Sequence, residues 1–162
     1  MRMLKFNRIT PTRILLVWNG TRDHIQHAEQ CIEAAKVGSV LAVHAMPHES
    51  IYSYGAARHS RDEGNYAERK LKKRFREVVQ HSNVFEGTQL ELLFGDQVTE
   101  ISRFAKAMKV QSILFPRFAQ SAFSKWVHGD LNERMARRAP CPIIFLQSSN
   151  GKSNESPVFD SA

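Results

Sequence analysis

Residues 13–21 read RILLVWNGT, and the fold follows from them. Ile14, Leu15, Leu16 and Val17 run without polar alternation, as in a strand whose two faces are both covered. Asn19-Gly20-Thr21 closes the run with turn residues. From 21 to 37 the period changes: Ile25, Ala28, Ile32 and Ala35 fall on one helical stripe, and Gly38 stops it. Residues 40–45, VLAVHA, repeat the doubly covered strand pattern.

The same alternation continues along the chain. Residues 47–64 lack a period and read as a loop with at most a short helical turn. Residues 65–85 predict a long charged helix with Ala67, Leu71, Phe75 and Val78 inward. Residues 88–94 read as a third strand closed by Gly95-Asp96. Val98, Ile101, Ala105 and Met108 mark the next helix. SILF at 112–115 is a fourth strand, and 116–128 a loop. A short helix opens at Gly129-Asp130 and runs to Arg138, where Pro140-Cys141-Pro142 breaks it. IIFL at 143–146 is a fifth strand. Strands alternating with helices imply an α/β fold: an open five-stranded parallel sheet with helices on both faces. The organisation expected is a basic arm over 1–12, an α/β domain over 13–146 and a disordered polar tail over 147–162. Ligands of such sheets sit beyond the carboxyl ends of the strands.

Composition narrows the function classes. The chain has 162 residues, 42% of them hydrophobic and 24% charged, which excludes wholesale disorder. One domain of this length buries about two-thirds of its unfolded surface without a metal or disulfide. No apolar run reaches a membrane span, and the first residues lack the apolar core of a secretory signal. Two cysteines, Cys31 and Cys141, make no disulfide framework, so a cytoplasmic location is expected. Twenty-three basic residues against 16 acidic ones give a net charge of +7. The excess concentrates at 58–76, a pattern read first as a solvated helix face. Sequence-specific nucleic-acid binding is disfavoured because no recognition motif accompanies the charge.

Several motifs carry a resemblance. ILLVWNGT followed by a helix and VLAVHA resembles the opening of the universal stress protein family. GDLNERMARRAPCPIIFL at 129–146 resembles that family's closing run, and Gly95-Asp96 with Ile101 and Ala105 fits its turn after the third strand. The resemblance covers 13–146. It implies a Rossmann-like domain that often dimerises through its last strand, here Ile143, Ile144, Phe145 and Leu146. It also implies a nucleotide pocket at Asn19, Ala45, Pro116, Ala119, Gly129 and Asp130. Members that bind ATP carry Gly-x2-Gly-x9-Gly-Ser/Thr, where glycines and a helix N-terminus cradle phosphate. This chain keeps the spacing and changes the residues. Pro116 has no N–H, Ala119 disfavours positive φ, and Asp130 places like charge where phosphate would sit. Asn19 replaces an Asp and retains hydrogen-bonding capacity toward a base.

The expected function is therefore a non-enzymatic cytoplasmic stress-response or regulatory domain, with no cofactor and with a degenerate nucleotide site. It would act as a homodimer on a regulated protein, with no membrane insertion. ATP or AMP binding, as a nucleotide sensor, is the alternative, and a basic nucleic-acid-associated protein is the second. Asp130 and Glu133 also spell a capping box, the structural role favoured for them. His24, His27 and Cys31 share metal-ligand spacing on one helix but read mainly as solvated surface, so no metal is expected. His44 reads as a hydrogen-bonded core histidine. Cys141 reads as packing. Arg117 and Lys125 flank the altered loop and read as surface. No nucleophile elbow, Walker loop or dinucleotide fingerprint is present.

Overall fold

A computed structural model describes residues 12–35, 38–46, 60–116 and 129–146, and the side chains of these except 60–65. The elements are β1 (Arg13–Val17), α1 (Arg22–Ala35), β2 (Ser39–Met46), α2 (Ser60–Val79), β3 (Leu90–Phe94), α3 (Gln97–Ala107), β4 (Ser112–Pro116), α4 (Leu131–Arg138) and β5 (Ile143–Leu146). All four strand pairings are parallel, in the order β3-β2-β1-β4-β5. The α/β expectation holds strand by strand.

The unbroken apolar run of β1 has a direct physical cause. β1 lies at the sheet centre, and its alternate side chains feed two separate cores. Ile14, Leu16 and Trp18 join Ile25, Ala28 and Ile32 of α1 and Phe75 and Val79 of α2. Leu15 and Val17 join Val98, Ile101 and Ala105 of α3 and Met135 of α4. The helix pair α1/α2 therefore covers one face and α3/α4 the other. Trp18 is fully buried, with its ring in an edge contact on Phe75 at 5.3 Å between centroids. Full burial of a side chain like Phe75 contributes about 1.5–3 kcal/mol.

Pro116, expected in the loop, is the last residue of β4, and the long helix and the third strand differ most from expectation. The long helix starts at Ser60 and ends at Val79, rather than spanning 65–85. Gly64 lies inside it, at the cost of roughly 1 kcal/mol relative to alanine that packing of the helix outweighs. Beyond Val79 the chain turns, and Phe85 reaches the core from the turn instead of from a helix face. Ser82 Oγ donates to Glu29 Oε1 at 2.8 Å and fixes that turn to α1. β3 consequently starts at Leu90, two residues later than expected. The expected arm, tail and the loops at 47–59 and 117–128 lie outside the described residues.

Candidate functional site

β1 and β4 are neighbours in the sheet but not in the chain. Their connections leave toward opposite faces, α1 on one and α4 on the other, which opens a crevice at their carboxyl ends. Asn19 leads from β1, Ala45 stands at the end of β2, Pro116 is the last residue of β4, and Gly129 and Asp130 precede α4. These expected site positions therefore gather at one edge of the sheet. Ala119 lies outside the described residues.

The β1 corner is locked by its own side chains. Asn19 Oδ1 accepts from the Thr21 backbone N–H at 3.0 Å and from Thr21 Oγ1 at 2.8 Å. Thr21 Oγ1 in turn accepts from the His24 N–H at 3.3 Å. Gly20, with φ of 91°, makes the left-handed corner between them. The Asn19 side-chain oxygen, expected as a base acceptor, is thus committed to the turn.

His24 departs from the solvated position expected of it. It is buried, with 5% of its surface exposed, rather than solvated. Residues 24, 28 and 32 share one helical line, so it belongs to the apolar stripe of α1. Its Nδ1 accepts from the Asn19 N–H at 3.4 Å. Burial first, and the neighbouring His27 second, push its pKa down to about 3, so the ring is neutral. No group of three or more metal-ligating side chains is placed to hold an ion among the described residues.

His44 fits its expected role. Its Nδ1 donates to the Trp18 carbonyl at 2.8 Å, tying β2 to the end of β1. Burial lowers its pKa, and the carbonyl bond partly opposes that shift. Cys141 is half-buried, and burial pushes its thiol pKa up, away from thiolate chemistry.

The α4 corner is built around Asp130. Its backbone is extended, and Oδ1 accepts from Asn132 N at 2.9 Å and Glu133 N at 3.3 Å. The carboxylate caps the two amides that an incoming anion would otherwise use. Gly129 has φ of 75°, and a Cβ there would stand 3.3 Å from Arg134 Cδ. Arg134 donates to Asp96 Oδ1 at 3.0 Å and joins α4 to the start of α3. Asp96 also caps α3 through Thr99 N at 3.0 Å. Burial alone would raise the Asp96 carboxyl; the Thr99 bonds and the Arg134 guanidinium together take it below the usual range. The Asp96–Arg134 pair spans 38 residues and left no local signal in the sequence. Gln97, whose Nε2 approaches the Ala45 carbonyl at 3.5 Å, was equally silent.

β5 forms an outer edge of the sheet. Leu146 reaches the core on the α1 side, and Ile143 and Phe145 pack toward the α3 side. Ile144 stands 45% exposed. A groove of about 680 Å³ near Gly38, Asn83 and Thr88 opens at the amino ends of β2 and β3. That is the wrong end of a parallel sheet for the expected site.

This arrangement defines a doubly wound α/β protein with its crevice between the first and fourth strands. The model of the universal stress protein family matches residues 11–147, and the chain belongs to that family. Similar solved structures share the fold at low identity. Universal stress protein UspA from Lactobacillus plantarum is 15% identical, with a TM-score of 0.57, covering 84% of this chain and 97% of that one. A universal stress protein family member from Burkholderia pseudomallei is 16% identical, with a TM-score of 0.56, covering 83% and 95%. A universal stress protein in complex with cAMP is 13% identical, with a TM-score of 0.54, covering 86% and 98%. A search of curated proteins finds no match. No helix among the described residues is long and apolar enough to cross a membrane.

Proposed function

We propose that this chain is a non-enzymatic, cytoplasmic regulatory member of its family that dimerises through β5 and has lost tight ATP binding. The observation that carries the reading is the Asp130 cap. A phosphate at the α4 N-terminus would need the Asn132 and Glu133 amides, and a resident carboxylate already accepts from both. Displacing it leaves a carboxylate beside the phosphate. A like-charge contact near 4 Å costs about 1–4 kcal/mol between the water and protein-surface limits. Pro116 supplies no N–H at the end of β4, and a missing charge-assisted bond costs about 1.5–3 kcal/mol. The sum is about 2.5–7 kcal/mol, a loss of roughly 70-fold or more in affinity. Dimerisation is supported by the exposed Ile144 on β5, the outer strand of the sheet among the described residues, which a second copy would cover. Two isolated cysteines support the cytoplasmic assignment. Action would then be exerted on a regulated protein through contacts.

Calorimetry with ATP tests the pocket. The expected result is weak or absent binding at physiological salt, with affinity gained in Pro116→Gly/Ala119→Gly/Asp130→Ser. Micromolar binding by the native chain would refute the reading. A second reading, a nucleotide sensor, draws on the cAMP complex of a structural neighbour. AMP and cAMP in the same calorimetric series decide it. A rise in Tm with either nucleotide favours the sensor, since a ligand of the native state stabilises it by mass action.

A further inference from the structure

We propose that the outward face of α2 is a docking surface for single-stranded nucleic acid, bound without sequence preference. Linear order shows only a run of charge; the helix sorts it. At 100° per residue, Leu71, Phe75, Val78 and Val79 point to the core. Tyr66, Arg69, Lys70, Lys73 and Arg76 are all exposed on the opposite side, with Arg74 at its border. Among the described side chains, that face holds five cations and a single carboxylate, Glu77, which meets Lys73 loosely at 3.8 Å. Lys70, Arg74 and Arg76 have no carboxylate within ion-pair distance among the described residues. Glu68 is held by Lys72 at 2.8 Å to one side.

Tyr66 begins this face with 64% of its surface exposed. Ten residues of helix place it about 15 Å from Arg76, with cations along the whole length. A row of exposed cations, with Lys70, Arg74 and Arg76 carrying no carboxylate partner among the described residues, is complementary to a phosphate backbone. An exposed aromatic ring at its end supplies a platform for an unstacked base, which single strands offer and duplexes hide. A sequence pI near 9.7 adds the overall field such binding needs. This face of α2 is distinct from the nucleotide crevice and from the β5 edge.

The test is fluorescence anisotropy of the full chain with labelled rU20, dT20 and a duplex of equal length. Both single strands should bind, and the duplex more weakly. Three to four phosphate contacts give a log–log salt slope of about −2 to −3, a loss of roughly 20- to 50-fold between 50 and 200 mM salt. Tyr66→Ala should weaken binding about tenfold and Tyr66→Phe should not. Lys70→Glu/Arg74→Glu should abolish it with an unchanged thermal melt, because neither residue is in the core. No binding at 50 mM salt overturns the proposal. Equal binding of the duplex, with Tyr66→Ala silent, overturns it as well. Competition by polyglutamate as strong as by rU20 also overturns it, in favour of an acidic protein partner.

Discussion

Acidification should unfold this protein through His24. The imidazole titrates near 6.5 when exposed and at about 3 in the folded chain. Between those values the unfolded state binds a proton that the native state refuses, so stability falls as pH falls. Burial is the main cause, and His27 adds to it, so solvent screening does little to reduce the effect. From pH 7 to pH 5 the linkage integral gives a loss of about 2 kcal/mol. His44 shifts in the same direction and adds to the loss. The Asp96 carboxyl titrates below this window and contributes little. Urea unfolding at pH 7 and pH 5 measures the effect. With a slope of about 2 kcal/mol/M, the midpoint should drop by about 1 M. In His24→Leu, whatever its stability at pH 7, the pH-dependent part should shrink by most of that amount. Equal losses in the native chain and in His24→Leu would refute the reasoning.

Phe75→Ala removes a fully buried ring packed on Trp18 and Phe85 and should cost about 3–5 kcal/mol in chemical denaturation. Ile144→Lys puts a charge on the exposed β5 edge; light scattering should show a dimer for the native chain and a monomer for the variant. Arg134→Ala breaks a partly exposed ion pair with Asp96 and should change stability by less than about 1 kcal/mol, read from the thermal midpoint. Gly129→Ala meets both positive φ and the Arg134 side chain, and should destabilise by at least about 1 kcal/mol in the same melt.

The order of elements was legible because burial leaves a local signature. A central strand covered on both faces has to be apolar at every position, and residues 14–17 are. An amphipathic helix has to repeat its apolar residues on one stripe, and Ile25, Ala28 and Ile32 do. The Asp130 cap was legible for the same reason: a helix start needs an acceptor near its free amides, and Asp-x-x-Glu supplies the pattern within four residues. Periodicity lost the start of α2, where 60–65 is polar and holds Gly64. It lost the turn at Phe85 too, because a buried aromatic looks the same whether a helix or a turn delivers it.

Groups brought together from distant parts of the chain left no such signature. His24 has metal-ligand spacing in the sequence, but its neutrality comes from the sheet and core that surround it. Asn19 retains the chemistry to read a base, yet the turn it closes takes its side-chain oxygen. Asp96 and Arg134 meet only when α3 and α4 share one face of the sheet. The cations of α2 were visible as a run of letters, but their common face with Tyr66 depends on which side of the helix Phe75 buries. Local patterns record what a residue must avoid, chiefly water on an apolar surface; partners far along the chain are chosen by packing, and single residues carry no mark of it.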